Sequence, residues 1–256
     1  MPGGESLCGG KKPDKLRYRF LSEKESAVYR QIDRGVERAE TEIETGLCSA
    51  EELSRVIRSV LTDNPQYFWF EGRVSAGVEN GRVIVRPHYL YGVSEIGPMM
   101  KELEDALQSF GAYRGAGDYE KARAAYDRLI CGTVYTPSVS GQNAYNALVE
   151  RKAVCKGLSK AYQLILAELG LFSTLSYGTL DGTAIHIWNT VEIGGKYYNV
   201  DVSLGYPLFD RLFDGSERND RYRTFLRSDD YFSRTHRLTE NVPRLICNTD
   251  YGRSEL

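Results

Sequence analysis

Apolar residues recur at helical spacing in two early segments, which predicts two helices that pack as an αα-hairpin. Each segment opens with a capping box, in which a serine and a glutamate three residues later satisfy each other's backbone N–H groups: Ser22 with Glu25, and Ser49 with Glu52. The apolar stripe of the first segment is Val28, Ile32, Val36, Ala39 and Ile43. The first helix should therefore run to about Thr45, and Asp63-Asn64-Pro65 should end the second.

A β-hairpin is predicted after the second helix. Residues 73–78 and 82–89 flank Asn80-Gly81, a pair that favours the positive φ angles of a tight hairpin turn. The aromatic stretch 67–70 is dense in strand formers, which predicts a core strand. Further along the chain, the pattern predicts a helix over 94–110 and a second helix from Asp118 to about 130. A loop should follow over 134–141.

The second half of the chain shows a sharper pattern. From Ala153 onward, an apolar stripe predicts a helix that Gly170 closes. An antiparallel meander should follow, with strands over 171–178, 184–193 and 196–202 joined by the turns Asp181-Gly182 and Gly194-Gly195. Beyond it we expect a loop over 205–220, a further strand over 222–226, and then loop or short helix. The fold class predicted is α+β.

Composition and charge narrow the class of protein. The 256 residues include 33 Lys+Arg and 35 Asp+Glu, a net charge of -2, and 41% of them are hydrophobic. This balance is typical of a folded globular protein, and the near-zero charge argues against a protein that coats nucleic acid. No apolar run approaches the roughly 18 residues of a membrane span.

The start of the chain predicts a flexible tail over residues 1–15. It has no apolar core, so it is not a signal peptide. A chain cut behind a secretion signal would begin in the same way. The compartment therefore stays open between the cytoplasm and the outside of the cell, and the oligomeric state stays open too.

The cysteines argue against a disulfide framework. There are five, an odd number, they are widely spread, and no two form a C-x-x-C pair. The same observations argue against a four-thiolate zinc site. We interpret Cys8, Cys48, Cys131 and Cys247 as thiols of the tail, loops or core, and His88 and His236 as structural or surface residues.

Cys155 is the candidate nucleophile. It stands at the start of the predicted helix, where unpaired backbone N–H groups and the helix dipole stabilise a thiolate. His186 lies within a predicted strand and Asp201 near the end of the next. With the turn centred at Gly194-Gly195, Ser203 would stand opposite His186 and Asp201 would be a diagonal neighbour on the same face. The helix could pack across that face and bring the thiol to the imidazole.

Three blocks of sequence, in this order, resemble the transglutaminase-like superfamily: Val154-Cys155-Lys156-Gly157, His186-Ile187-Trp188-Asn189 and Tyr198-Asn199-Val200-Asp201. The resemblance extends to residues 225–230 and His236, which resemble the tail of bacterial members. The resemblance implies a papain-like cysteine active site, with Cys155 as nucleophile, His186 as base and Asp201 as the residue that orients it. Members transfer acyl groups to amines or to water, and the resemblance alone does not choose between them. It implies no metal and no organic cofactor.

An oxyanion donor is needed besides the N–H of Cys155. Gln142, thirteen residues before Cys155, could supply a side-chain amide. Trp188 could instead offer its indole N–H or line the acyl pocket.

These observations combine into a domain and function hypothesis. A helical-hairpin plus β-hairpin module over 16–91 precedes a transglutaminase-like core over 92–256, in which the helix with Cys155 packs on an antiparallel sheet. We expect a cysteine hydrolase, a protease or amidase, acting on protein or peptide substrates. Hydrolysis is favoured over cross-linking because no feature of the sequence indicates an amine-acceptor site. The alternative is an inactive scaffold or protein-binding module.

Overall fold

The computed structural model describes residues 12–139, 141–239 and 244–252, so most of the predicted tail, including Cys8, lies outside the described residues. The chain divides into two compact units, one ending at Asp105 and the other beginning at Ala106. Helices and antiparallel sheets occur in both, which confirms the α+β class. In the part of the chain that is described, no helix combines the length and the apolar character needed to cross a membrane.

The N-terminal unit combines two capped helices with a three-stranded antiparallel sheet in the order β1-β3-β2. Both predicted capping boxes form, and so does the hairpin turn, where Asn80 has φ 49° and Gly81 has φ 76°. The elements are α1 (Glu23–Glu37), β1 (Ile43–Thr45), α2 (Ala50–Asp63), β2 (Phe70–Glu79) and β3 (Arg82–Tyr89).

The predicted end of the first helix is wrong. α1 stops at Glu37, the chain reverses through Ala39 at φ 50°, and Ile43 pairs with Val85 in the sheet. The side chain of Ile43 packs back onto α1 at Gly35, where no Cβ would fit. Ile43 is therefore apolar at a position that fits the helical spacing, although the residue lies outside the helix. As a result a strand, rather than a simple loop, joins the two helices. Only Phe70 of the aromatic stretch 67–70 belongs to a strand, although all four residues are buried.

The C-terminal unit places a buried helix, α6, against a four-stranded antiparallel sheet in the order β8-β7-β6-β9. The predicted helix and meander are confirmed. The helix α3 (Val93–Gln108) begins in the N-terminal unit and ends just past the division at Asp105. The elements after it are α4 (Asp118–Gly132), β4 (Val134–Tyr135), α5 (Ala144–Leu148), β5 (Lys152–Ala153), α6 (Cys155–Glu168), β6 (Ser173–Leu180), β7 (Ala184–Ile193), β8 (Lys196–Val200), α7 (Asp229–Phe232) and β9 (His236–Leu238).

The strand predicted over 222–226 is a series of turns. The reason is Arg223, whose side chain is buried and whose guanidinium donates to the backbone carbonyls of Leu204 and Arg218, each at 2.6 Å. These bonds hold the segment against the preceding loop, so it cannot extend along the sheet. Among the strands and α-helices of the described residues, five short ones are absent from the sequence prediction: β1, β4, α5, β5 and β9.

Candidate active site

The first turn of α6 carries Cys155 and lies close to the start of α5. A Cβ at Gly157 would stand 2.9 Å from the backbone oxygen of Asn143, so only glycine permits this approach. Val154 caps α6 without a side-chain hydrogen bond, which leaves the first-turn N–H groups and the helix dipole to act on the Cys155 sulfur. Cys155 is a free thiol and is partly exposed, so it is accessible to a reactant.

His186 lies on β7 beside this thiol. Its Nε2 is 2.6 Å from Oδ2 of Asp201, the length of a charge-assisted hydrogen bond. The ring also interacts with the Cys155 side chain through a hydrogen bond and through charge. Since Nε2 is bonded to Asp201, Nδ1 is the nitrogen that faces the sulfur. The structure therefore brings Cys155, His186 and Asp201 together in one chain of contacts.

α6, which carries the thiol, does not lie on the face of β7 that carries His186. α6 contacts the opposite face of β7, where the Asn189 side chain donates to the Ser159 carbonyl at 3.0 Å. His186 and Trp188 point the other way, so the expectation that the helix covers the His186 face is wrong. Pairing of β7 with β8 keeps the predicted register but ends at Asn189 and Val200. The strand edge beside His186 is left open to Cys155.

Asp201 is fully buried and accepts hydrogen bonds at both carboxylate oxygens. Oδ2 accepts a hydrogen bond from Nε2 of His186 and a second one, at 3.1 Å, from Nε2 of His236. Oδ1 accepts a hydrogen bond from the Ser203 backbone N–H at 2.9 Å and another from the Ser203 hydroxyl. Ser203 begins a 3₁₀ turn instead of extending β8 opposite His186. Four donors therefore hold the carboxylate in one orientation, which compensates the cost of burying its charge.

These contacts control the charges of the site. Burial disfavours a charged imidazole, but the Asp201 carboxylate and the neighbouring Cys155 side chain outweigh it and raise the pKa of His186 to about 10. Burial also acts against the Asp201 charge, yet His186 and then His236 hold the pKa of that carboxyl well below its usual range. At neutral pH His186 is therefore a buried imidazolium between a carboxylate and the sulfur, an arrangement that stabilises a thiolate.

The structure does not bring Trp188 to the sulfur as an oxyanion donor. Its indole N–H donates to Oδ1 of Asn199 at 3.1 Å, and its ring stacks near His186 with the centroids 6.4 Å apart. Trp188 is therefore a packing residue behind the imidazole, which corrects its interpretation as a donor. Gln142 directly precedes Asn143, whose backbone faces Gly157, so Gln142 lies beside the first turn of α6.

Tyr135 is a site residue that the sequence analysis missed. β4 pairs in parallel with β5, with Tyr135 opposite Ala153, two residues before the cysteine. The Tyr135 hydroxyl accepts a hydrogen bond from the backbone N–H of Cys155, and burial, followed by the Cys155 and Asp201 charges, raises the pKa of Tyr135. Its ring packs against Phe209 at a centroid distance of 5.3 Å. The prediction of a loop over 134–141 concealed this placement.

His236 is the second missed residue. It was interpreted as structural or surface, whereas its ring is buried and bonded to Asp201. β9, the strand that carries it, has three residues and no periodic signal of its own. The sequence signal for it was the resemblance of residues 225–230 and His236 to the tail of bacterial members, which did not indicate a role in the site.

Comparisons with known proteins give one family match and several similar solved structures. Residues 112–202 match the family described as the transglutaminase-like superfamily, and no curated protein matches the sequence significantly. One similar solved structure is a "putative cysteine protease" from Cytophaga hutchinsonii, with 18% identity and a TM-score of 0.34 over 53% of this chain and 63% of that one. Another is a TGase, with 15% identity and a TM-score of 0.38 over 63% of this chain and 50% of that one.

The chain thus spans less than two thirds of the length of either structure. The family match covers Cys155, His186 and Asp201 in the order of the three sequence blocks. The segment that carries these residues is thus similar to the transglutaminase-like superfamily.

Proposed function

We propose that this protein is a cysteine hydrolase that cleaves peptide or carboxamide bonds of protein or peptide substrates through a thioester at Cys155. The observation that supports the proposal is the partly exposed cysteine beside a buried imidazole, which is itself bonded to a buried carboxylate. This is the set of groups that acyl transfer through cysteine requires: a nucleophile, a proton carrier and a residue that orients the carrier.

The reaction follows from the two nitrogens of His186. The Cys155 thiolate attacks the substrate carbonyl carbon, and Nδ1 of His186 gives its proton to the leaving amine as the C–N bond breaks. The thioester then reacts with water, whose proton returns to Nδ1, and the acid is released. Asp201 stays ionised throughout and keeps Nε2 protonated.

Water is the acceptor that we propose. Transfer to an amine requires the thioester to be shielded from water, because hydrolysis otherwise removes the acyl group first. The Cys155 side chain is only partly buried, so water reaches the position of the thioester. A substrate that covers the thiol on binding would alter this balance, and for that reason the test must count both kinds of product.

The oxyanion site includes the backbone N–H of Cys155 and one side-chain donor. In the structure, the Tyr135 hydroxyl accepts a hydrogen bond from this N–H. A substrate oxygen that takes over the N–H will lie next to the hydroxyl, which can rotate and donate to it. Gln142 is the alternative donor indicated by the sequence, and the two residues can be separated by mutation.

We expect Tyr135→Phe to lower kcat by about 10²-fold with little change in KM, the effect of losing one oxyanion donor. Gln142→Ala should cost less than about 5-fold. Steady-state kinetics on a cleaved peptide give both values. The matched control is Tyr206→Phe, since the Tyr206 hydroxyl donates to backbone carbonyls and its ring packs on Tyr135. A large loss in Gln142→Ala with an active Tyr135→Phe would assign the donor to Gln142.

The proposed function is tested by incubating the protein with a peptide and protein mixture, with a Cys155→Ala sample as control. Mass spectrometry then scores cleavage, deamidation and isopeptide bonds. Cleavage or deamidation that needs Cys155 supports hydrolysis. Isopeptide bonds in excess would instead identify a cross-linking enzyme. A sample without any product, together with slow alkylation of Cys155, would favour the inactive scaffold.

A further inference from the structure

A second histidine bonds the carboxylate that holds His186. His236 lies on β9, which pairs with β6 at the far side of the sheet from β8. Its Nε2 is 3.1 Å from Oδ2 of Asp201, the same oxygen that accepts Nε2 of His186. The ring is buried, and the family pattern of cysteine, histidine and aspartate does not require it.

The contacts of His236 fix which nitrogen carries its proton. Burial lowers the pKa of His236 despite the neighbouring carboxylate, so the ring is neutral at physiological pH. Asp201 is ionised and can only accept, so Nε2 is protonated and donates to it. In the neutral ring Nδ1 then has no proton, and it lies 2.9 Å from the Thr235 hydroxyl, which can donate to it; the Phe232 backbone is a further hydrogen-bond neighbour of the ring. A directed series of hydrogen bonds therefore runs from Thr235 through His236 to Asp201.

Aromatic packing fixes the plane of the same ring. Phe232 stacks on His236 with the ring centroids 4.3 Å apart and the planes 23° apart. The edge contact with Trp188 has a centroid distance of 4.9 Å, and Trp188 also stacks near His186. The Trp188 indole thus contacts the imidazole rings of both His186 and His236. The direction of the Nε2–H bond from His236 is therefore set by packed aromatic neighbours.

We propose that His236 is a positioning residue, whose Nε2–H donates to Oδ2 of Asp201 and holds the carboxylate where it aligns His186 toward Cys155. The proposal rests on the proposed function. Ser203 secures only Oδ1. Without His236, only His186 bonds Oδ2, so the carboxylate turns more easily about its Cβ–Cγ bond and the His186 ring turns with it.

The alternative for these three groups is a metal site. Within the described residues, His186, Asp201 and His236 bring one ligand atom each within 4.8 Å of the others. Two ligands of a tetrahedral zinc ion, each about 2.0–2.1 Å from it, stand about 3.3 Å apart. The 2.6 Å contact between His186 and Asp201 is shorter and is that of a hydrogen bond.

The test measures the titration of the His186 ring by NMR, which needs no substrate and so remains valid if the proposed hydrolysis fails. With three histidines in the chain, single substitutions assign every imidazole signal. His236→Leu should move the His186 midpoint to lower pH by about 0.5–1 unit, because the ring loses its alignment with Asp201. His236→Gln places an amide N–H near the Nε2 position and should restore most of the shift.

Activity gives the second readout. His236→Leu should lower kcat about 10–10²-fold with KM changed less than about 3-fold, and His236→Gln should stay within about 5-fold of wild type. Equal damage in both variants, or a wild-type midpoint in His236→Leu, would overturn the proposal. So would one zinc ion per chain whose chelation abolishes activity. If His236→Leu does not fold, Thr235→Val is the variant to measure. A smaller shift of the His186 midpoint to lower pH supports the proposal, and an unchanged His186 midpoint rejects it.

Discussion

Replacing Cys155 by alanine should lower turnover by more than about 10⁴-fold, because no other group can form the thioester that the proposed reaction requires. The unfolding temperature should change little, since the side chain is partly exposed and the substitution leaves no large cavity. Activity on a peptide identified by mass spectrometry and thermal unfolding by circular dichroism measure the two quantities. Turnover retained by a folded Cys155→Ala protein would refute the assignment.

Cys131→Ala is the matched control. Its thiol is exposed on α4 and lies 3.2 Å from Nη1 of Arg221, so it also neighbours a positive charge but has no imidazole beside it. We expect this variant to keep wild-type activity. Iodoacetamide at about pH 6 should label Cys155 first. Burial raises the pKa of the Cys247 thiol and also that of Cys48, which keeps both protonated and slow to react.

Local patterns predicted those parts of the fold whose determinants lie close together in the sequence. Ser22 and Ser49 cap helices through contacts three residues away, and Asn80-Gly81 turns a hairpin through its own φ angles. The helix of Cys155 and the strand of His186 were predicted for the same reason: each is long and has a clear period. The residues that carry the proposed chemistry stand on these elements or directly after one, so the sequence could indicate them.

The missed residues stand on elements too short to show a period. β4 has two residues and β9 has three, and each exists because a distant segment supplies its hydrogen bonds. Tyr135 and His236 therefore reach the site through pairings that a sequence window cannot reveal. The predicted end of the first helix failed for a related reason, since the sheet partner of Ile43, Val85, is far away along the chain. The sequence thus indicated Cys155, His186 and Asp201, the groups of the proposed reaction, but it did not indicate Tyr135 and His236, which contact them.

Asp201→Asn should show the second large effect, on stability and on activity together. An asparagine keeps one acceptor oxygen and adds an NH₂ group, which must face either the two imidazole N–H groups or the two donors of Ser203. The free energy of unfolding should fall by about 3–5 kcal/mol, as when one partner of a buried ion pair is removed. The kcat should fall by roughly 10²–10⁴-fold, because His186 loses the group that orients it.

The pH dependence of stability gives the sharper result. In the folded wild type the pKa of His186 is about 10, above the ordinary 6.5, so the ion pair contributes its full stability below about pH 6.5 and loses it as the pH rises to 10. The pKa of Asp201 is held below its ordinary 3.8, so its contribution is present above that value and is lost as the pH falls further. In Asp201→Asn the decline of unfolding free energy between about pH 6.5 and 10 should largely vanish.

Asp63→Asn separates this effect from a general loss of stability. Asp63 is a buried carboxyl of the N-terminal unit, and burial raises its pKa to about 6 although the backbone N–H groups of Arg17 and Tyr18 bond it. Its ionisation therefore costs stability as the pH rises from 3.8 through 6, and the substitution should remove only that slope. Denaturant titrations between about pH 4 and 10 compare the three proteins. An alkaline decline that persists in Asp201→Asn, or disappears in Asp63→Asn, would show that the His186 pair does not cause it.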